Sequence, residues 1–326
     1  MSEIITRNPR IDEIPALRHI WETAFGGSDE ALFFDHYFAV DMCITAVSGD
    51  IPASAGYLIP AGNLIIGGKA VPCATIYAVA TLPESRGCGF GAAVVRELIN
   101  TGHSSAYPAI ALCPSDDGLF GYYGSRTDLR DWFYVSEQRF DKAPSFSEHT
   151  KLTLISDDEY GRLREKLLDG TPHIEPDKRA LSYQRRLCGL LGGGLFRVDT
   201  PGGFYCAVVE VQSDGEVWIK ELLTPRCGRS EAVVTCALAA IAEAFPAGAY
   251  VVRIPARHGV SRSTIQYSQL PNHEPLESGN KSGADRLLGH DIGFVSRRFG
   301  MLALRPGMID TACIDNTAPW YGLAYD

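Results

Sequence analysis

The sequence of 326 residues has no long hydrophobic run. Gly, Pro or a charged residue interrupts every apolar stretch well before the roughly 18 residues that a membrane-crossing helix needs. Its first residues, MSEIITRNPRIDE, lack the apolar stretch of a secretory signal. The remaining composition, 45% hydrophobic and 21% charged, is typical of a globular protein. We therefore expect a cytoplasmic protein that makes no contact with a membrane.

Paired cysteines and an excess of positive charge are also missing. None of the nine cysteines belongs to a C-x-x-C pair, which excludes a zinc ribbon and a thioredoxin-like motif. No set of residues with metal-ligand spacing accompanies the histidines, so we predict no metal site. The formal net charge is -9, whereas a general binder of nucleic acid needs a basic surface. This charge fits better with a small cationic partner such as an amine.

Glycine, in contrast, is concentrated in the segment PESRGCGFGAAVVREL at residues 83–98. Gly87, Gly89 and Gly91 alternate after Arg86, and an apolar pattern with helical spacing follows. Glycines between a strand and a helix let backbone N–H groups converge on a phosphate, and the helix N-terminus adds partial positive charge. Two motifs describe the segment: G-x-G-x-x-G/A, typical of dinucleotide sites, and R-x-x-G-x-G.

The surroundings of the glycines count against the dinucleotide interpretation. In a dinucleotide site the strand runs almost directly into the first glycine, and an acidic residue about 20 positions later binds the ribose. Here LPESR separates the strand from Gly87, and the first acids after the next strand are Asp116 and Asp117. The unit also follows strands that we predict to be antiparallel. An NAD(P)-dependent oxidoreductase is thus the less favoured alternative.

The order of predicted elements repeats along the chain. Residues 1–145 run helix, helix, antiparallel strands, then strand, glycine loop, helix, strand, helix and strand, and residues 146–306 follow the same order. YAVATLPESRGCGFGAAVVREL aligns over IKELLTPRCGRSEAVVTCAL, where one glycine replaces three. We predict an α/β fold of two tandem domains, each a mixed, largely antiparallel sheet flanked by helices. Residues 307–326 form an aromatic tail that we expect to dock on the body.

The segment VATLPESRGCGFGAAVVREL resembles the acetyl-CoA-binding motif of the GNAT superfamily of N-acetyltransferases, R/Q-x-x-G-x-G/A after a strand. Arg86, Gly89 and Gly91 match the fixed positions. The resemblance implies that strand residues Val79, Ala80 and Thr81 pair with the pantetheine arm and polarise the thioester carbonyl. It also implies that the loop holds the pyrophosphate. The implied loop residues are Arg86, Gly87, Cys88, Gly89, Phe90, Gly91 and Ala92.

The tandem arrangement with one degenerate copy is similar to the Eis-like acetyltransferases. Those usually carry a third, sterol-carrier-like domain, whereas only about 20 residues follow Pro306. The resemblance implies transfer of an acetyl group from acetyl-CoA to a primary amine of a small molecule or peptide in a ternary complex. The second half is expected to shape the acceptor cleft or to support a homo-oligomer.

The proton donor departs from the family pattern. A tyrosine in the pattern Y-x-x-x-G commonly protonates the departing thiolate, but the register set by Gly124 puts Phe120 at that position. Tyr123 lies three residues later and shares roughly the same helical face, whereas Tyr122 falls nearly opposite. We therefore predict Tyr123 as the acid, with packing against the sheet as the alternative. A non-catalytic acyl-CoA sensor is the alternative function if no hydroxyl reaches the thiolate.

Two further positions are candidates. Ser115 and Asp116 follow the fifth strand and either approach the pantetheine or the acceptor, or cap the next helix. In the Eis-like group the terminal carboxylate enters the active site, which implies that the carboxylates of Asp326 lie near the amine.

Overall fold

The computed structural model describes residues 4–27, 29–144, 150–225, 231–256, 294–307 and 319–322. The elements of the first half are, in chain order, β1 (Ile5–Arg7), α1 (Ile14–Phe25), α2 (Glu30–His36), β2 (Cys43–Ser48), β3 (Ile51–Ile66), β4 (Lys69–Thr81), α3 (Phe90–Ser104), β5 (Ala109–Leu112), α4 (Asp117–Arg126) and β6 (Arg130–Phe140). The elements of the second half are β7 (Lys151–Leu154), α5 (Asp157–Leu168), β8 (His173–Glu175), α6 (Lys178–Leu190), β9 (Gly194–Thr200), β10 (Gly203–Val211), β11 (Val217–Leu223), α7 (Glu231–Ala244), β12 (Tyr250–Pro255) and β13 (Val295–Leu304).

Within the described residues, the strands form one mixed sheet of thirteen strands flanked by helices, which confirms the predicted fold class. Twelve of them follow the order β1-β2-β3-β4-β5-β13-β6-β12-β11-β10-β9-β7, and β8 pairs with β3 outside this path. Two neighbouring pairs, β4 with β5 and β11 with β12, are parallel. The same kind of strand therefore occupies matching places on the two sides of the sheet. This symmetry agrees with the repeated order of elements in the sequence.

The two halves exchange their last strands at the centre of the sheet. Strand β13 of the second half lies between β5 and β6, antiparallel to both. Strand β6 of the first half lies between β13 and β12. Backbone hydrogen bonds thus join the halves directly, although the boundaries 1–145, 146–306 and 307–326 themselves stay a prediction.

A long hairpin also joins the halves. Strands β3 and β4 continue beyond their pairing with β2 and β5 to a turn at Gly67 and Gly68, both with positive φ. The outer part of β3 pairs with β8 of the second half. Gly62 is required there, because a Cβ atom would lie 2.0 Å from the carbonyl oxygen of Glu175.

Helices α3 and α4 cover one face of the first half. Their apolar side chains pack with Ala74 and Ile76 of β4 in one buried cluster. The alternate residue Cys73 faces the opposite side, where a central cluster contains residues of both halves. Strand β4 therefore has α3 on one face and the meeting place of the two halves on the other. Among the described residues, no helix is both long and apolar enough to cross a membrane.

Candidate active site

Strands β4 and β5 separate at their carboxyl ends. They pair at four positions, from Cys73 opposite Ala109 to Ile76 opposite Leu112. Strand β5 ends at Leu112, whereas β4 continues to Thr81 along β3. Among the described residues, 77–81 of β4 therefore have strand partners on one edge only, and we call the region beside this unpaired edge the opening between β4 and β5.

The part of β4 that extends beyond β5 contains a bulge. The register against β3 shifts between Ala55 and Tyr57, and within this stretch Ala78 has φ +48°. Ala78 is the one non-glycine residue with positive φ in the described ranges. A bulge re-aims backbone groups, and a strained residue of this kind is frequent at functional sites. Here the strain lies beside Val79, Ala80 and Thr81, the segment predicted to contact the donor.

The glycine loop follows directly and leads into α3. A single 3₁₀ turn at Pro83–Ser85 accounts for the spacer LPESR. Gly87 and Gly89 have φ +78° and +90°, which favours glycine at both positions. The Arg86 side chain folds back, and its Nε donates to the Thr81 carbonyl oxygen at 3.1 Å. Arg86 thus fixes the loop to the end of β4.

Gly89 is the N-cap of α3. The backbone N–H groups of residues 89–92 therefore have no partner within the helix. The first intrahelical bond runs from Ala93 N to the Gly89 carbonyl oxygen, 3.1 Å. In the described part of the chain, Ala92 N donates to Tyr122 Oη at 3.2 Å, while the amides of Gly89, Phe90 and Gly91 form no hydrogen bond. Three N–H donors at a helix N-terminus suit a phosphate group.

Helix α4 carries the residues predicted for proton transfer. Phe120 and Tyr123 are buried against the sheet, 4% and 6% exposed. Burial raises the pKa of the Tyr123 phenol, so the group stays protonated at neutral pH. The Arg298 guanidinium carbon lies 4.6 Å from the centre of the Phe120 ring. Tyr122 instead lies towards α3, where its hydroxyl meets Ala92.

The two residues before α4 differ in role. Asp116 is the N-cap, and its Oδ1 accepts a hydrogen bond from Leu119 N at 3.1 Å. This contact favours the capping alternative for Asp116. Ser115 is exposed beside it. Its predicted contact with the donor stays a prediction.

Tyrosines gather on the face of β4 opposite α3. Tyr183 of α6 stacks on Tyr37 with ring centres 4.6 Å apart, and its hydroxyl is 3.5 Å from that of Tyr77. Burial raises the pKa of Tyr77 and Tyr183, so both phenols are neutral. The second half thus places a side chain next to the residue that precedes the Ala78 bulge.

The described tail residues lie on this same side. Trp320 Nε1 donates to Glu221 Oε2 at 2.6 Å, and its carbonyl oxygen accepts from Ile174 N at 3.1 Å. Tyr321 is 3% exposed, with its ring centre 5.3 Å from that of Phe133. Residues 320 and 321 therefore contact both halves. Asp326 lies outside the described residues.

The comparisons with known proteins identify the domain that carries this site. Residues 6–127 match the model of the acetyltransferase (GNAT) domain. This part of the chain is similar to GNAT domains. It contains β4, the glycine loop, α3, β5 and α4. Domains of this family bind acetyl-CoA or CoA, and the matches support an acyltransferase.

Solved structures agree with this fold over most of the chain. A GCN5-related N-acetyltransferase from Kribbella flavida is 17% identical, with 93% of this chain and 71% of that chain covered and a TM-score of 0.57. Eis1 from Mycobacterium abscessus is 10% identical, with coverages of 93% and 74% and a TM-score of 0.54. A tandem GNAT protein from the clavulanic acid biosynthesis pathway is 13% identical, with coverages of 94% and 99% and a TM-score of 0.51. No curated protein matches the sequence.

These similarities show the GNAT fold and its tandem form, as the sequence predicted. Because each identity is below 20%, they show the fold alone. No set of three or more His, Cys, Asp or Glu side chains able to hold a metal ion occurs in the described ranges.

Proposed function

We propose that the protein is an N-acetyltransferase that moves the acetyl group of acetyl-CoA to a primary amine of a small molecule or peptide. The observation that carries this proposal is the opening between β4 and β5, which has the free amides of α3 at one end and the Ala78 bulge along one side. Such an opening fits a long donor with a phosphate at one end and a thioester at the other.

The donor would be held by the backbone at two places. Of the loop predicted from Gly87 to Ala92, the donor's pyrophosphate would lie on the N–H groups up to Gly91, because the Ala92 N–H already donates to Tyr122 Oη. Glycine leaves the approach open there, and the helix dipole favours negative charge. The pantetheine arm would pair with Val79, Ala80 and Thr81 on the free edge of β4. A backbone N–H at the bulge would stabilise charge that develops on the thioester oxygen.

The proposed reaction is direct attack in a ternary complex. The neutral amine nitrogen forms a bond with the thioester carbon, the bond from carbon to sulfur breaks, and the amine releases one proton to water. The departing thiolate takes up a proton from Tyr123, whose pKa burial raises, and water then returns a proton to the Tyr123 phenolate. Phe120 has no proton to give, so the nearest phenol on the same face of α4 is the candidate.

Replacing Tyr123 by Phe tests this donor. We expect kcat to fall by about a hundredfold, since general acid catalysis is worth on the order of 10² to 10⁴ in rate. KM for acetyl-CoA should stay within about twofold, because the hydroxyl acts on the thiolate and not on the bound donor. Steady-state kinetics across pH, with the melting temperature as a check on folding, measures both. An unchanged kcat would exclude Tyr123 as the acid.

The acceptor would enter from the face that carries Tyr77, Tyr183 and the tail. We propose that a carboxylate of Asp326 lies near the amine, which agrees with the contacts of residues 320 and 321 on this face. Removing residues 323–326 leaves Trp320 and Tyr321 in place. We expect this deletion to raise KM for the amine by about tenfold with little change in KM for acetyl-CoA. Unchanged kinetics would exclude the role of Asp326.

The absence of a hydroxyl at Phe120 favours a second candidate, a non-catalytic acyl-CoA sensor. Release of free thiol from acetyl-CoA separates the two, measured across aminoglycosides, polyamines, amino acids, peptides and protein N-termini. Amine-dependent release supports the enzyme. Tight binding of acetyl-CoA without release for any amine class supports the sensor. We also propose that the protein is cytoplasmic and forms a homo-oligomer.

A further inference from the structure

Tyr122 belongs to α4, but its hydroxyl lies at the N-terminus of α3. Of the four backbone N–H groups that a helix start leaves unpaired, the last one here is that of Ala92, and Tyr122 Oη accepts it at 3.2 Å. The same oxygen lies 3.7 Å from the position that a Cβ atom on Gly91 would take. The phenol oxygen therefore lies at the start of α3, next to the glycine loop.

Packing fixes the direction of this side chain. The Tyr122 ring is half-buried against the cluster beneath α3 and α4 and makes an edge contact with Tyr123, with ring centres 5.2 Å apart. The Arg126 guanidinium carbon lies 4.6 Å from the ring centre. Since these contacts hold the ring, its hydroxyl is positioned before any ligand arrives.

The hydroxyl of Tyr122 is still available as a hydrogen-bond donor. A phenol oxygen accepts and also donates, and here it accepts from Ala92 N–H. Within the described part of the chain, the O–H of Tyr122 donates to no protein group. A donor that is itself polarised by a backbone N–H suits an anion, because linked hydrogen bonds strengthen one another.

The position of the Tyr122 hydroxyl favours contact with a phosphate over contact with the thioester. Gly91 lies next to Thr81 at the end of β4, since a Cβ atom there would be 3.4 Å from Thr81 Oγ1. The Ala78 bulge is three residues back along the strand, about 10 Å at 3.3 Å per residue. The hydroxyl thus lies at the loop end of the opening, away from the strained backbone predicted to face the reacting carbonyl.

We propose that Tyr122 is a donor-binding residue, which accepts the Ala92 N–H and donates its own O–H to a pyrophosphate oxygen of acetyl-CoA. This inference rests on the proposed function, because it assumes acetyl-CoA as the ligand. It assigns separate tasks to adjacent tyrosines: Tyr122 binds the donor, and Tyr123 protonates the thiolate.

Tyr122→Phe tests the assignment, with Tyr107→Phe as the matched control. Tyr107 is a half-buried phenol beyond the other end of α3. We expect Tyr122→Phe to raise the Kd for CoA and the KM for acetyl-CoA roughly tenfold to a hundredfold, as for loss of a hydrogen bond to a charged group. With acetyl-pantetheine, which has no pyrophosphate, kcat/KM should equal that of the wild type. Tyr107→Phe should match the wild type with both donors.

The outcomes separate the possible roles. An equal loss with acetyl-CoA and acetyl-pantetheine overturns the proposal, because Tyr122 then acts on the thioester or the thiolate. No loss with either donor also overturns it. If the wild-type protein itself fails to bind CoA, the proposed function falls first and takes this inference with it.

Discussion

A protein carrying Gly91→Glu should bind acetyl-CoA at least about a hundredfold more weakly than the wild type. Two unit charges about 4 Å apart repel by roughly 4 kcal/mol near a protein surface, and a flexible side chain relieves part of this. Gly91 has no positive φ, and a Cβ atom there meets Thr81 Oγ1 and Tyr122 Oη at ordinary contact distances of 3.4 and 3.7 Å. The backbone therefore accepts a side chain at this position.

The fold should survive this substitution. Gly91 lies in the first turn of α3, where a negative side chain interacts favourably with the helix dipole and where replacing glycine raises helix propensity. Isothermal titration calorimetry measures the affinity, and the melting temperature checks the fold. Gly91→Gln is the uncharged control of equal size and should retain more affinity than Gly91→Glu. Wild-type affinity in both variants would mean that the loop does not hold the donor.

Arg164→Leu should lower the free energy of unfolding by about 3–5 kcal/mol. Arg164 and Glu221 are both fully buried, and the Arg164 Nε lies 3.0 Å from Glu221 Oε1. Removing one partner of a buried ion pair leaves the other charge without compensation, at a cost of roughly this size. Arg164 Nη1 also donates to the Ile174 carbonyl oxygen at 2.9 Å. Chemical denaturation of both proteins measures the difference.

The carboxylate of Glu221 also binds the tail through Trp320. We therefore expect Arg164→Leu to affect the candidate active site as well. Glu221 accepts hydrogen bonds from Tyr160 Oη and Trp320 Nε1, each at 2.6 Å. Arg162→Leu on the same helix is the matched control, because Arg162 is exposed and, among the described residues, bonds only to the carbonyl oxygen of Asp158. Its change should stay within about 0.5 kcal/mol. A loss below about 1 kcal/mol for Arg164→Leu would contradict the account of this cluster.

Much of the first half was predictable because local patterns determine it. The helix predicted after the glycine loop is α3, which begins at Phe90, and β2 and β6 fill the places of the first and last strands in the predicted order. The length of β3 and β4 has no comparable local signal: β3 runs to Ile66, and β4 begins at Lys69. Pro60, Gly62 and Pro72 interrupt the strand pattern there, and pairing with a distant segment, β8, supports the hairpin instead. The spacing in ADRLLGHDIGF also predicts a helix, and residues 284–293 of this segment lie outside the described residues.

The exchange of β6 and β13 has no local signature. Each strand has the alternation of an ordinary last strand, and its choice of neighbour depends on contacts between residues some 160 positions apart, such as Ser136 with Ser296. Pairing over that distance follows from the whole fold, so a pattern read along one segment does not contain it.

In the candidate site, too, some features were predictable from local sequence and others were not. The glycine spacing predicted the loop, because only a few residue types accept φ near +80°. The bulge at Ala78 was not predicted, since alanine carries no signal for it. Helical spacing separated Tyr122 from Phe120 and Tyr123, but it did not show that the opposite face of α4 meets the start of α3.

The central claim is that one glycine loop per chain binds acetyl-CoA. Calorimetric titration of the wild-type protein with acetyl-CoA, CoA, NAD and NADP tests it most directly. We predict that acetyl-CoA and CoA bind with a stoichiometry of one per chain, because the loop of the second half has one glycine where the first has three, and that NAD and NADP do not bind. Binding of NAD or NADP without binding of either CoA compound would contradict it.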